Sequence, residues 1–427
     1  MNGGIIFVLL AVLMLTGMPV SISLGLTVLS FLFFMTQVPI ESVAMKLFTG
    51  IEKFEIMAIP FFILAGNFLT HGGVAKRMIR FATSLVGHWP GGLGLGAVVA
   101  CALFAAVSGS SPATVVAIGS ILIPAMLKAG YPARFGAGIV ASAGGLGILI
   151  PPSIVMVMYA VSTNSSIGAL FMAGVVPGLV LAGMLLATTF YRAWKNGYPK
   201  ERRATGLERW KAFRESVWGL MLIVVVMGGI YTGIFTPTEA AAMSAVYAFV
   251  IAVFVYKDMG LKDVPKVLLN SANMSAMLLY IITNAVLFSF LLTHENIPQA
   301  IAEWLLSMGL GQVSFLLAVN VLLLIMGSFM EPSSIILITA PILFPIAMKL
   351  GIDPVHFGIL ITVNMEIGMI TPPVGLNLYV ASGVSKLGLT EMAVAVWPWL
   401  LTMLVFLALV TYWPPLSIWL PKMMGMM

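Results

Sequence analysis

The chain has 427 residues, of which 60% are hydrophobic and 8% charged. A soluble domain carries roughly 25% charged residues, so no soluble fold of this length buries so much apolar surface. The apolar runs are also too long for a membrane β-barrel, which leaves an integral helical membrane protein. The net charge of +6 lacks the mixed aromatic-basic pattern of a nucleic-acid surface. The single cysteine, Cys101, rules out a disulfide framework, and His71, His88, His294 and His356 show no metal-ligand spacing. Met1 to Gly4 carry no Lys or Arg, and no small-residue cleavage site follows the first span, so a cleavable signal is not expected.

In chain order, hydropathy predicts full spans near 4–18, 20–36 and 55–70. An amphipathic segment follows, with Val74, Met78, Phe81, Ala82, Leu85 and Trp89 on one face and Lys76, Arg77 and Arg80 opposite. Its period suits a helix in the membrane interface. Next come two short apolar segments, 93–107 and 115–128, then spans at 134–163 and 166–191. A basic stretch, 192–215, reads as a linker. The order then recurs: spans at 216–234, 239–256 and 272–292, a second amphipathic segment, short segments 312–327 and 333–349, and spans at 355–385 and 391–412. The second amphipathic face holds Ile297, Ala300, Ile301, Trp304, Leu305 and Met308, with Gln299 and Glu303 opposite. Residues 414–427 read as a tail.

Each short segment is ~15 residues, or ~22 Å of helix, which falls short of a ~30 Å hydrocarbon core. A pair of them joined by a polar tip reads as a re-entrant hairpin, spanning 93–128 in the first half and 312–349 in the second. Such backbone is tolerated where protein or a water-filled cavity surrounds it. Each half, 1–191 and 216–413, therefore has five crossings. An odd number predicts two inverted-topology repeats. With the N-terminus outside, 17 of the 21 Lys and Arg residues fall on cytoplasmic segments, as the charge bias of cytoplasmic loops requires. Lys46, Lys53, Lys349 and Lys422 remain outside, and both termini are predicted periplasmic.

The halves match residue by residue. Pro112 pairs with Pro332, Pro124 with Pro345, Lys128 with Lys349 and Gly130 with Gly351. Within the spans at 134–163 and 355–385 lie double prolines, Pro151-Pro152 and Pro372-Pro373, 221 residues apart. Proline has no N–H and clashes with the carbonyl four residues back. Both spans therefore read as broken helices, with the carbonyls of Gly147, Ile148, Gly368 and Met369 freed. Ile150 and Thr371, directly before proline, are pushed out of the α region. An unsatisfied group in hydrocarbon costs several kcal/mol, and a hard cation offsets it. Sodium is the usual candidate at matched breaks of this kind, which mark secondary transporters.

The hairpin tips supply the complement. Ser108-Gly109-Ser110-Ser111-Pro112 brings hydroxyls and a helix N-terminus suited to a carboxylate. The second tip, Gly327 to Ser334, adds Glu331. Glu331 and Glu366 lie at depth and are candidates for coupling; a helix cap and an interhelical hydrogen bond are the bland alternatives. Asn67, Asn284, Asn364 and Asn377 are ambiguous deep polar groups. Thr236-Pro237-Thr238-Glu239 reads as a capping box. The methionines read as packing residues rather than metal ligands.

SGSSPAT at 108–114, GYPARFGAG at 130–138, GLGILIPPS at 145–153 and FTPTEAAA at 235–242 resemble the large membrane subunit of tripartite ATP-independent periplasmic (TRAP) transporters. So do PILFPIA at 341–347, GIDPVHFG at 351–358 and ITPPVGLNLYVASG at 370–383. The resemblance implies a sodium-driven importer of an organic anion in the bacterial inner membrane. A periplasmic binding protein and a small four-helix membrane subunit would be its partners, and an elevator-type fold its mechanism. It implies one sodium site at Ser108, Ser111, Gly147, Ile150 and Pro152, and a second at Gly327, Met330, Gly368, Thr371 and Pro373. The carboxylate would lie near Ser110, Ser153, Ser333 and Asn377. No organic cofactor is implied. The GIDPVHFG and TPPVGLNLYV runs look most like C4-dicarboxylate members; sialic acid or another acid, and a self-sufficient sodium/dicarboxylate symporter, are the alternatives. A membrane enzyme finds no support in paired carboxylates, HExxH or a nucleophile elbow, and a pore fits opposed hairpins less well than alternating access.

Overall fold

A computed structural model describes residues 2–36, 39–49, 52–307 and 311–427. Every described element is helical. The first set comprises α1 (Asn2–Leu15), α2 (Val20–Met35), α3 (Ile40–Thr49), α4 (Ala58–His71), α5 (Val74–Val86), α6 (Gly92–Ser108), α7 (Ser111–Lys128), α8 (Ala133–Gly144), α9 (Leu146–Leu149), α10 (Ile154–Thr163) and α11 (Ile167–Lys195). The second comprises α12 (Gly206–Tyr231), α13 (Pro237–Val250), α14 (Val264–His294), α15 (Ile297–Ser307), α16 (Gln312–Gly327), α17 (Pro332–Lys349), α18 (Pro354–Gly368), α19 (Leu376–Ser385), α20 (Leu389–Tyr412) and α21 (Pro415–Met423).

Among the described residues, 8 helices are long and apolar enough to cross a membrane, and up to 9 if the bent pair 133–149 and 154–163 counts as one span. The chain is thus an all-α polytopic membrane protein. Helix α13 continues as a wide turn, Ile251–Val255, and a tight turn, Phe54–Met57, leads into α4. Local chemistry explains most helix starts. Thr205 and Thr236 each form a reciprocal capping box, with Glu208 and Glu239. The second box was legible beforehand and the first was not. Asp353 accepts from the amides of Val355 and His356 at 2.9 and 3.1 Å, and Pro354 starts α18.

The elements differ from expectation in four places. Residues 40–49, unassigned beforehand, form α3 against α14. The expected tail contains α21, whose Ser417 hydroxyl sits 2.7 Å from the buried His356 ring, so it is docked rather than free. Helices α7 and α17 each run 18 residues and are long enough to cross by length alone, more than the short segments expected. On α5 the buried face is Val74, Ala75, Met78, Ile79 and Ala82, while Leu85 in its last turn and Trp89 beyond its end are exposed. On α15 Ile297 is buried and Ala300 exposed; Met308 lies outside the described residues.

Packing exchanges partners between the sets. Helix α10, after the first double proline, lies on α17; α19, after the second, lies on α7. Likewise α8 packs on α20, and α18 on α11. Small residues permit these crossings, as expected where lipid gives no hydrophobic drive for association. A Cβ on Gly138 would meet the Ala395 carbonyl at 2.5 Å, and one on Gly358 would meet the Tyr159 ring at 2.6 Å. Tyr159 donates to the Pro354 carbonyl at 2.8 Å, and Trp399 Nε1 to Thr189 at 3.0 Å. A second group, α2, α4, α12, α13 and α14, packs together and also reaches the rest, α14 on α17, α4 on α6 and α12 on α5. Asp353→Ala removes the α18 cap; the expected cost is about 1 kcal/mol, read as a lower thermal midpoint of the purified protein.

Candidate substrate and cation site

Two chain interruptions and two helix–helix tips define the site. The first interruption runs between α9 and α10, with Ile150 extended at φ −79° and ψ 122°. The second runs between α18 and α19, and both double prolines contain a cis peptide. The first tip is Gly109-Ser110 between α6 and α7; the second is Ser328 to Glu331 between α16 and α17.

Each tip presses on the interruption of its own set. A Cβ on Gly147 would fall 2.7 Å from the Ser110 carbonyl, and one on Gly109 would fall 2.8 Å from the Pro152 carbonyl. The Ile154 amide reaches the Gly109 carbonyl at 3.5 Å. In the second set Gly327 and Gly368 meet backbone to backbone: a Cβ on either would lie 2.8 or 2.6 Å from the other's Cα. The amides of Val374 and Gly375 both donate to the Ser328 carbonyl, at 3.3 and 3.1 Å. Ser328 was not among the expected site residues. Its hydroxyl looked like one of several in a Ser-rich tip, whereas its contact is made by a backbone carbonyl.

The freed carbonyls are not all free. Ser153 donates to the Ile148 carbonyl at 2.6 Å and caps α10. In the second break the Thr371 amide donates to Gly368 at 3.0 Å and the Asn377 amide to Met369 at 2.9 Å. The prolines do break both helices, but neighbouring groups re-satisfy these three oxygens, as broken helices in lipid require.

The remaining expected residues fall as follows. Ser108 is buried and its hydroxyl sits 3.0 Å from that of Thr114. Ser110 is half-buried at the start of α7, and its carbonyl accepts from Thr114. Ser111 is buried and accepts from the Asn377 amide at 2.6 Å, so the second break touches the first tip. Ser333 is buried and donates to Glu331 at 2.5 Å. Glu331 also accepts from the Ser334 amide at 3.2 Å, which makes it the N-cap of α17. Met330 and Thr371 are half-buried, and the Thr371 hydroxyl donates to Ile367. Pro373 is exposed. Asn67 bonds Ser271 and Asn284 bonds Tyr280, both away from the breaks. Asn364 joins Asn320, which joins Thr411, in a buried chain between α18, α16 and α20.

Glu366 stands apart. It is fully buried and neither carboxylate oxygen has a hydrogen-bond partner, so the interhelical hydrogen bond considered beforehand is not formed. A Cβ on Gly145 would meet its Oε1 at 2.9 Å, which sets the carboxylate against the first broken helix. The Oγ of Ser142 and the Oδ1 of Asn377 are also buried and unpaired, and Asn377 Nδ2 lies 3.4 Å from the Ala141 carbonyl beside Ser142.

The donor set is all oxygen. Carbonyls of Met369 and Thr371 converge on Gly375, at 2.9 and 3.0 Å from where a Cβ would sit. Hydroxyls and carbonyls without nitrogen or sulfur suit a hard cation. Among the described residues no cluster of three or more His, Cys, Asp and Glu offers a transition-metal site.

Paired hairpins meeting paired interruptions inside an apolar helical body define a polytopic membrane transport protein. The chain belongs to the family described as "Tripartite ATP-independent periplasmic transporter, DctM component", whose profile matches residues 7–416. It is 71% identical, over 100% of both chains, to the C4-dicarboxylate TRAP transporter large permease protein DctM of Rhodobacter capsulatus. It is 55% identical to the protein of that name from Pseudomonas aeruginosa, over 95% of each chain. Identity to the sialic acid TRAP transporter large permease protein SiaM of Vibrio cholerae is 36%, over 96% of each. Among solved structures the Alcanivorax borkumensis YdaH transporter shares the fold, with a TM-score of 0.64 at 17% identity over 88% of this chain and 90% of that one.

Gly327→Ala and Gly368→Ala each place a methyl against facing backbone that cannot yield. Expected is loss of thermal stability and of transport by about tenfold or more. Gly183→Ala, with open space around its Cβ, serves as the neutral control in the same assays.

Proposed function

We propose that this chain is the large permease of a sodium-driven TRAP transporter that imports a C4-dicarboxylate across the bacterial inner membrane. The carrying observation is the paired contact of tip and break, with Asn377 of the second break bonded to Ser111 of the first tip at 2.6 Å. The substrate class follows the names of its relatives at 71% and 55% identity. A periplasmic binding protein delivers the anion, and a small membrane subunit completes the complex.

The two halves, 1–191 and 216–413, act as inverted repeats, with both termini periplasmic and 192–215 cytoplasmic. The distribution of 17 of 21 Lys and Arg residues to one side supports this orientation. Sodium, when bound, supplies positive charge to backbone oxygens that hydrocarbon leaves unsolvated. Ser108, Ser111, Gly147, Ile150 and Pro152 hold one ion; Gly327, Met330, Gly368, Thr371 and Pro373 hold the second. Between them Ser110, Ser153, Ser333 and Asn377 receive the carboxylates, aided by the N-termini of α7 and α17. Glu366 couples the two, because its unpaired buried charge is costly until a cation lies near it. The hairpins and post-break helices interlock into one body, which moves as an elevator against the group of α2, α4, α12, α13 and α14.

Reconstitution tests the whole reading. Succinate uptake into liposomes is expected to need an inward sodium gradient, the small subunit and the binding protein. Uptake by this chain alone overturns the partner requirement, and sodium-independent uptake overturns the coupling. In the same assay Pro151→Ala with Pro152→Ala lets the helix close and weakens sodium stimulation; unchanged stimulation counts against the carbonyl site. Glu366→Gln is expected to raise the sodium concentration for half-maximal uptake by about tenfold, with membrane insertion retained.

A further inference from the structure

A second polar feature lies beyond the tips, and neither the proposed cation sites nor the carboxylate site uses it. A cavity of about 270 Å³ opens between α3, α10, α14 and α17. Lys46, Thr49, Lys53, Ser162, Asn164 and Ser289 give its polar lining, and no Asp or Glu is among its lining residues. Leu337 and Pro341 of α17 form part of the wall.

Its place in the fold is informative. Along α10, Val161 stands eight residues after Ser153, about 12 Å of helix. Along α17, Leu337 stands four residues after Ser333, about 6 Å. The cavity therefore sits one to three turns from the residues proposed to receive the carboxylates. It lies where the interlocked hairpin body meets α3 and α14.

Its charge is uncompensated. Among the described residues neither Lys46 nor Lys53 has a carboxylate partner. Lys53 donates to the Val161 carbonyl at 2.9 Å and to Asn164 Oδ1 at 2.6 Å, which leaves one of its three N–H bonds. That lysine also caps the end of α10, which is reason enough for it to exist. Lys46 lies in the last turn of α3, a favourable place for a cation, but no hydrogen bond holds its ammonium among the described residues. It is exposed, and its Nζ lies over the Phe290 ring at 5.4 Å from the centroid. Two cations facing one concave space, with apolar walls and no acid, match a small dicarboxylate better than a monovalent anion.

The geometry points to an anion-binding vestibule in which Lys46 and Lys53 hold a dicarboxylate before it reaches the hairpin tips. The dicarboxylate identity rests on the function proposed above; the anion vestibule itself does not. Lys46 and Lys53 are positioned to draw and orient the two carboxylates, and release inward requires only exchange of these contacts for those at the tips.

Because Cys101 is the only cysteine and is buried, a Ser289→Cys variant reports on the cavity. Its modification rate by an anionic methanethiosulfonate should exceed that by a cationic one. Lys46→Gln with Lys53→Gln should lower that ratio about tenfold, Lys46→Arg should preserve it, and added succinate should slow modification. In the reconstituted three-part transporter, Lys46→Gln alone should raise the succinate KM about three- to tenfold with little change in maximal rate. An unchanged labelling ratio in the double variant, with no protection by succinate, overturns the vestibule. A charge-dependent ratio combined with absent succinate uptake in the wild type upholds the vestibule and removes the dicarboxylate reading instead.

Discussion

Backbone that leaves a helix inside hydrocarbon must find partners, and this constraint organises the molecule. Two double prolines create the need; neighbours within each break cover freed carbonyls, and the two tips accept from break amides. The contacts are made by backbone rather than by long side chains: Gly327 on Gly368, Ser110 on Gly147, and the Ser328 carbonyl accepting from two amides of the second break. At Gly147 a main-chain oxygen, that of Ser110, stands where a Cβ would otherwise lie, and at Gly327 and Gly368 the two Cα atoms close on each other. The same closeness that satisfies the polar groups also gathers oxygens into a small volume. On the function proposed above, a cation site and a stable break are one solution to one problem.

Exchange of partners between the two sets gives the site its rigidity. If each hairpin packed only on its own broken helix, the two halves could drift apart. Here α10 lies on α17 and α19 on α7, while Asn377 reaches Ser111 across 266 positions of sequence. The two tips are thereby joined through one continuous set of contacts. Fully buried Glu366, Asn377 and Ser142 lie along this seam with oxygen atoms unpaired. Unpaired groups at 0% exposure are hard to retain unless they are occupied during the working cycle.

Much of this was legible in the residues, for identifiable reasons. Proline's missing N–H is a property of the residue, so the breaks at 151 and 372 follow without tertiary information. The Thr236 capping box is equally local. What escaped were partners set by tertiary contact. Nothing in Ser153 announces that its hydroxyl covers the Ile148 carbonyl. The Glu331 cap, by contrast, was among the readings its place before Pro332 allowed, because its partners Ser333 and Ser334 are local. Helix α3 and helix α21 were passed over because each is short; the second also begins beyond a Trp-Pro-Pro run that reads as a chain end.

Outside the interlocked body, α14 packs along α17, α4 on α6 and α10, and α12 on α6, with some close approaches of backbone. One is Gly66 of α4, where a Cβ would lie 2.9 Å from the Ser108 carbonyl of the first tip. A boundary of this kind has a physical consequence. Side-chain interdigitation resists sliding, since each knob must leave its hole, whereas a bare glycine face against a carbonyl offers no knob. The first tip is thus held firmly by α7, α8 and Asn377 on one side and only touched by α4 on the other. The cavity flanked by Lys46 and Lys53 lies on this same boundary, between α3 and α14 on one wall and α10 and α17 on the other. Its shape must change whenever the two groups shift relative to each other. In the elevator proposed above, charge placed on the α3 wall would act on an anion in one position of the hairpin body and not in the other.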